Sequence, residues 1–144
     1  MKRRMTIAAA LLLLGASQAQ ARNDVASYPI DAALATGAGK VDADISLYFA
    51  GQPHPAVEKQ YGEFGTNKKT NAFGKSDIDA CQHVFLSAVL ELQARARKEG
   101  GNAVIDIKSN YKNQLSASAT EFTCGSGAIL AGVALTGKVV TLRK

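Results

Sequence analysis

The sequence predicts an α+β domain in which one long helix, over about residues 77–98, packs on a small, mainly antiparallel sheet, with a short N-terminal helix. Two observations lead to this fold class. Apolar residues recur at helical spacing within a single stretch, residues 76–101, and segments rich in β-branched and aromatic residues lie on both sides of it. The chain has 144 residues, which is enough for one ordinary domain with a buried core.

The N-terminus has the pattern of a signal peptide. Basic residues at positions 2–4 precede a short apolar run at 6–14, and Ala19 and Ala21 form an A-x-A cleavage motif. Cleavage is therefore expected before Arg22. The apolar run is shorter than a membrane-spanning helix requires, although an uncleaved anchor is the alternative interpretation.

Cleavage would divide the chain into a signal peptide, residues 1–21, and a single periplasmic α+β domain, residues 22–144, without a membrane anchor. Of the 17 basic residues, three belong to the signal, so the mature part carries 14 basic and 12 acidic residues. This near balance gives no electrostatic reason to expect nucleic acid binding.

Before the long helix, the sequence gives weaker signals for secondary structure. Residues 29–35 predict a short amphipathic helix that glycines end, and Val41–Ala50 predicts a strand because it contains β-branched and aromatic residues. Residues 51–60 contain two prolines and predict a loop. Tyr61–Phe64 predicts a short strand, and the polar, basic residues 65–75 predict a connection to the long helix.

The long helix has consistent start, period and stop signals. Ser76 or Asp77 can cap its first turn, and Gly100 with Gly101 provides residues that tolerate the left-handed conformation at a helix C-terminus. Acidic residues lie near its start and basic residues near its end, as the helix dipole favours. Its apolar stripe at 3.6-residue spacing consists of Cys81, Val84, Phe85, Ala88 and Leu92.

The residues after the helix predict antiparallel strands. Ala103–Tyr111 alternates apolar and polar residues, and Ser116–Cys124 follows after a turn, so the two are expected to form a hairpin. Segments 128–135 and 139–142 predict one or two final strands around Gly137.

The two cysteines are the first candidate site. In an oxidising compartment, Cys81 and Cys124 are expected to form a disulfide, with free thiols as an alternative. A third interpretation is a metal site in which both thiolates combine with His83 and His54, since thiolates and imidazoles suit zinc or copper. Cys81 and His83, two positions apart on a helix, do not share one face.

A second candidate is Gly74-Lys75-Ser76, directly before the long helix. It resembles the end of a phosphate-binding loop, whose backbone N–H groups and lysine hold an anion at a helix N-terminus. The first glycine of such a loop is replaced by Lys69, so the sequence supports at most a weak anion site. No nucleophile elbow, paired-carboxylate motif or cofactor motif is present. The sequence therefore predicts neither an enzyme nor a cofactor.

A family resemblance covers roughly half of the mature chain. The matching segments are residues 71–76, Cys81, 101–105, Ser109, Tyr111, 121–124 and 133–140. These segments resemble small proteobacterial exported proteins often labelled "excinuclease ATPase subunit", and that label implies nucleotide binding. The helix followed by Gly-x-Asn-Ala-Val also resembles the YbjQ-type (heavy-metal-binding) domain and the Rcs envelope-stress sensor lipoprotein, which implies a compact sheet with a helix.

The leading hypothesis is a non-catalytic, disulfide-stabilised periplasmic domain that binds an unidentified envelope protein or ligand. The alternative is a metal-binding or metal-sensing protein that uses Cys81, Cys124 and a histidine, and the third hypothesis is a nucleotide-binding protein. A homo-oligomer is compatible with each hypothesis.

Overall fold

The computed structural model describes residues 22–144. The predicted signal peptide, with Ala19 and Ala21 of its cleavage motif, lies outside these residues. Within them the chain forms seven strands and two helices. In chain order these are β1 (Asp24–Pro29), α1 (Ile30–Thr36), β2 (Ser46–Phe49), β3 (Val57–Asn71), α2 (Asp77–Glu99), β4 (Ala103–Tyr111), β5 (Gln114–Ser116), β6 (Glu121–Ser126) and β7 (Leu130–Leu142).

The last strand, β7, is the centre of the sheet. It pairs antiparallel with β3 along one edge, from Leu130 to Leu142. Along its other edge it pairs antiparallel first with β6 and then with β4. Strand β1 extends the sheet beyond β6, whereas β2 and β5 extend it beyond β4. In residues 22–144, β2 with β4 is the one parallel pair, and all other pairs are antiparallel.

The expected fold class, a long helix packed on a small sheet, is wrong. Strands account for 46% of the described residues and helices for 24%, so the seven-stranded sheet is the main element and both helices are short beside it. The expectation failed mainly because the longest strand, β3, is mostly polar, so that most of its residues predict a loop and a connection. The sheet therefore has a second face that α2 does not cover, part of which is buried around Ala103, Ile105, Val140 and Leu142.

Helix α2 covers the other face of the sheet, which we call the inner face. Ser76 is its N-cap, and the Ser76 Oγ accepts a hydrogen bond from the backbone N–H of Asp79 at 3.2 Å. Gly100 ends the helix in the left-handed conformation, with φ of 89°. The rings of Phe85 in α2 and Phe122 in β6 stack with centroids 4.1 Å apart. The main core also contains Val84, Val89, Leu92, Val104, Ile107, Val133, Leu135 and Val139, all buried.

A buried amide attaches the loop before β2 to α2. The Gln93 side chain is only 2% exposed, and its Nε2 donates to the carbonyls of Asp42 at 3.0 Å and Ile45 at 2.8 Å. Its Oε1 accepts from the backbone N–H of Asp42 at 2.9 Å. At the surface, Arg97 pairs with the Asp42 carboxylate, and the hydrogen bond between them lowers the pKa of Asp42. Neither described helix combines the length and apolarity needed to cross a membrane.

Several segments differ from the elements that the sequence predicts. Residues 57–60, predicted as a loop, and residues 65–71, predicted as a connection, belong to the fifteen-residue strand β3, and residues 24–29 form an unexpected strand, β1. Of the one or two final strands expected around Gly137, the structure has one, β7. The predicted hairpin forms only near its turn, where β4 pairs with the short strand β5, whereas β6 pairs with β1 and β7.

Candidate functional site

The predicted disulfide is confirmed. Cys81 in the first turns of α2 and Cys124 in β6 are bonded, with their Cα atoms 5.9 Å apart. Both residues are completely buried. The bond therefore attaches the helix directly to the sheet, and neither sulfur is a free thiolate for nucleophilic or metal chemistry.

The structure does not bring the predicted metal ligands together. His83 is exposed on α2, although Cys81 is buried on the same helix. His54 is exposed in the loop before β3, where its Nδ1 lies 2.8 Å from the carbonyl of Pro55. Across residues 22–144, no three His, Cys, Asp or Glu side chains form a group that could hold a metal ion.

The predicted anion site is a tight turn that leads into α2. The Lys75 N–H donates to the carbonyl of Ala72 at 3.1 Å, and Gly74 adopts φ of 71°. The Ser76 hydroxyl is already engaged as the helix cap. Acidic residues occupy the first turn of α2, and they would oppose a bound anion by like-charge repulsion.

Arg22, the residue expected to follow the cleavage site, is held by two carboxylates. Its Nε lies 2.7 Å from Asp24 Oδ2, and its guanidinium also pairs with Asp77 at the start of α2. The hydrogen bonds that the Arg22 guanidinium donates to Asp77 and Asp24 raise the pKa of Arg22. The start of the described chain is thus attached to the helix.

A cleft of about 620 Å³ lies on the sheet face opposite α2, which we call the outer face. We call this cavity the outer cleft. It is formed by the start of β7, the end of β6, the end of β4 and the outer residues of β3. Its lining residues are Arg22, Asn23, Asn67, Lys69, Tyr111, Lys112, Gly125, Gly127, Ala128, Ile129, Leu130, Ala131 and Gly132.

Glycines make room for an aromatic ring at the floor of the outer cleft. A Cβ atom on Gly125 would lie 2.0 Å from the Tyr111 Oη, and one on Gly132 would lie 3.6 Å from the same ring. The side chains that flank these glycines in β6 and β7, Cys124, Ala131 and Val133, point into the core. Strand alternation therefore places both glycines on the outer face. The Tyr111 hydroxyl donates to Asn23 Oδ1 at 3.2 Å, which fixes the ring across the floor.

The rim of the outer cleft combines apolar and basic side chains. Ile129 and Leu130 are 66% and 53% exposed, which is unusual for large apolar residues in a folded domain. Lys112 Nζ lies 5.6 Å from the centroid of the Tyr111 ring, and Lys69 extends over Gly132. None of the thirteen described lining residues is Asp or Glu. The rim therefore places two basic side chains beside apolar ones.

A second surface cavity adjoins the outer cleft. It has a volume of about 460 Å³ and shares Tyr111 and Lys112 with the outer cleft. Val25 and Leu115, which are 56% and 65% exposed, also line it. Tyr111 thus separates two cavities with exposed apolar walls, so the outer face is apolar over more than one pocket.

The sequence alone did not point to the outer cleft. Gly125 and Gly127 follow a predicted strand, and Lys112 follows another, without any pattern that indicates a site. The one signal that could have been used is the spacing of glycines on alternate positions near the strand ends, because a glycine in a strand often marks the close approach of another group. Comparison of the chain with protein-family models, curated proteins and solved structures returns no match.

Proposed function

We propose that the mature chain is a non-catalytic binding protein of the periplasm and that the outer cleft is its ligand site. The ligand class is an amphipathic envelope component with an apolar chain and an anionic group. The observation that carries this proposal is the composition of the cleft, which places exposed apolar side chains beside lysines and without a lining carboxylate.

The charges of the two lysines support an anionic ligand. Within residues 22–144, neither Lys69 nor Lys112 forms an ion pair, whereas the charge of Arg22 is already balanced by Asp24 and Asp77. A carboxylate or phosphate placed between the lysines would form charge-assisted hydrogen bonds, which are stronger than neutral ones.

The apolar wall supports an acyl or similar chain on the same ligand. Covering Ile129 and Leu130 would remove exposed apolar surface from water, at about 25 cal/mol per Å². The volume of about 620 Å³ lies within the usual range for small-molecule sites. The ring of Tyr111 provides a flat surface between the two regions.

NMR titration of residues 22–144 tests this proposal. The probes are decanoate below its micelle concentration, a neutral decyl ligand and inorganic phosphate. With decanoate, we expect amide shifts that centre on Gly125, Gly132 and Tyr111, with weaker binding of the neutral ligand. Shifts that are equally spread over the inner and outer surfaces, or equal affinity for both decyl ligands, would contradict the proposal.

A matched pair of lysine variants tests the role of charge. Lys112→Gln should weaken decanoate binding about three- to tenfold, because one charge-assisted contact is lost. Lys40→Gln removes the same charge from an exposed loop that does not line the cleft, and it should leave the affinity unchanged. An equal loss in both variants would show that only the overall charge matters.

Export needs its own measurement. Intact mass of the protein from a periplasmic extract should correspond to a chain that begins at Arg22 and lacks the two hydrogens of the disulfide. A full-length mass, or a protein that remains with the cytoplasm, would contradict the periplasmic location without affecting the binding test.

A further inference from the structure

One edge of the longest strand carries no partner strand in the described part of the chain. Strand β3 runs from Val57 to Asn71 and pairs only with β7. An unpaired edge of this length offers backbone donors and acceptors to another strand, and proteins usually cover or interrupt such an edge. The question is therefore which strand this edge is suited to bind.

The register of β3 with β7 shows which backbone groups are free. Ala72, just beyond β3, donates its N–H to the carbonyl of Ile129 at 2.7 Å, and Asn71 lies opposite Leu130. In an antiparallel pair, hydrogen-bonded positions alternate with positions whose N–H and C=O point away. Counting back from Ala72, the even-numbered residues bond to β7. The groups that point to the free edge belong to Glu63, Gly65, Asn67, Lys69 and Asn71.

The side chains of β3 divide between the two faces in the same alternating way. Thr66 and Lys68 both contact Glu91 of α2, at 3.0 Å and 2.6 Å, so the even positions face the helix. The odd positions, including Glu63 and Lys69, therefore point to the outer face and are exposed. Neither Glu63 nor Lys69 has an ion-pair partner within residues 22–144.

We propose that the free edge of β3 binds the same edge of a second copy of this chain, antiparallel, with the two-fold axis at Thr66. In this register, Glu63 of each copy lies opposite Lys69 of the other, and Gly65 lies opposite Asn67. All four positions present their backbone groups to the free edge, so they are the hydrogen-bonded positions of the new ladder. Two cross-strand ion pairs thus form in the register that the backbone permits.

Charge complementarity selects this register among the permitted ones. An axis at Gly65 would place Glu63 opposite Asn67, and an axis at Asn67 would place Glu63 opposite Asn71. Both leave Glu63 and Lys69 unpaired. Irregularities at Val57/Lys59 and Gln60/Gly62 interrupt the pairing of β3 with β7 before Glu63. The regular part of the free edge therefore begins close to Glu63, the first residue of the proposed ion pair.

This proposal shares one residue with the proposed ligand site. Lys69 and Asn67 line the outer cleft, whereas Glu63 does not. In the dimer, Lys69 pairs with Glu63 of the second copy, which leaves Lys112 as the unpaired lysine of the cleft. The test of the edge therefore uses Glu63 and the test of the cleft uses Lys112, so that failure of one proposal can be distinguished from failure of the other.

Sedimentation equilibrium of residues 22–144 with charge variants is the first test. The unmodified protein should dimerise, and Glu63→Lys should weaken dimerisation about tenfold or more, since two attractive pairs become two like-charge pairs. Exchanging both charges, Glu63→Lys with Lys69→Glu, should restore the dimer. A monomer at the highest soluble concentration would overturn the proposal. So would a dimer that Glu63→Lys leaves intact, or a double variant that does not recover.

Amide hydrogen exchange is the second test, and β3 contains its own control. The N–H groups of Gly65, Asn67 and Lys69 should become protected as the concentration rises, whereas those of Thr66 and Lys68 should be protected at all concentrations. Exchange at the odd positions that does not change while the protein dimerises would show that the interface lies elsewhere and would overturn the proposal.

Discussion

A Cβ atom added to Gly125 would lie 2.0 Å from the Tyr111 Oη and 2.1 Å from Cζ, so the tyrosine ring occupies the space that any other residue would need. Gly125→Ala should therefore displace the ring, break its bond to Asn23 and lower the free energy of unfolding by about 1–3 kcal/mol. Urea denaturation measures this loss. In a chain that already carries Tyr111→Ala, the further change Gly125→Ala should lower the free energy of unfolding much less than it does in the unmodified protein. Additive losses would contradict this account.

Gly137 allows a close approach in the core. Its Cβ atom would lie 2.5 Å from Val104 Cγ1 and 3.3 Å from Ile107 Cγ1, both buried beneath α2. Gly137→Ala should destabilise the protein by about 1–3 kcal/mol, because the core must shift to admit the methyl group. Gly132→Ala, in the same strand, meets nothing closer than 3.6 Å and is the matched control. Equal thermal midpoints for the two variants would contradict the prediction.

Gln93 satisfies three backbone groups in the loop before β2. Gln93→Leu keeps the volume but leaves one N–H and two carbonyls without their partners, so the free energy of unfolding should fall by about 1–3 kcal/mol. Residues 42–45 should also lose amide protection, which hydrogen exchange can follow. Gln60→Leu, at an exposed position of β3, is the control and should change stability little. Unchanged protection in the loop would show that the Gln93 amide does not hold it.

Acid should weaken the contact between β3 and α2 through Glu91. Hydrogen bonds from Lys68 and then Thr66 lower the pKa of Glu91 below its ordinary value of 4.5. The carboxylate therefore stabilises the fold fully above pH 4.5, and this contribution is lost as the pH falls through the lowered value. Because the side chain is 46% exposed, the contribution should be less than about 1 kcal/mol.

Urea midpoints measured across the acid range test the Glu91 prediction. Glu91→Gln should be less stable than the unmodified protein near neutral pH, and the difference should shrink as the pH falls. Glu121→Gln, which removes an exposed carboxylate without an ion pair in the described chain, is the control variant. A difference for Glu91→Gln that grows towards low pH would have the wrong sign.

The disulfide should contribute strongly to stability, because it closes a long loop. Its cysteines are 43 positions apart, and the chain-entropy model gives about 4 kcal/mol for a loop of this length. Replacing both cysteines with alanine should lower the free energy of unfolding by about 2–4 kcal/mol. Reductant should shift the urea midpoint of the unmodified protein but not that of the double variant. A midpoint that reductant leaves unchanged would contradict the prediction.

Local signals in the sequence were sufficient for some features and not for others. The ends of α2 could be predicted because Ser76 and Gly100 act within one turn of the chain. The disulfide could be predicted because the chain has two cysteines and is expected in an oxidising compartment. Strand β3 could not, because its inner positions include Lys68, whose charge is balanced by Glu91 from a later element. The polar residues of β3 therefore have the sequence pattern that is typical of a loop.

The outer cleft could not be predicted from the sequence for a different reason. Its floor brings Tyr111 of β4 onto Gly125 of β6 and Gly132 of β7, and none of these contacts follows from periodicity. The sequence predicts a hairpin partner of β4 that extends to Cys124, whereas that partner, β5, ends at Ser116. A site on a sheet face depends on strand order, and strand order here is set by β7, which pairs with the adjacent strand β6 and with β3 and β4, which lie further away in the sequence.

The position of β7 also constrains the order in which the molecule can assemble. Strands β3, β4 and β6 all precede β7 in the chain, yet each needs β7 for its pairing or for its place in the sheet. A polypeptide that emerges from a ribosome or a translocation channel with its N-terminus first cannot close the sheet until residues 130–142 are delivered. Until then β3, β4 and β6 lack the strand that joins them, so the core beneath α2 can be completed only after the last strand is present.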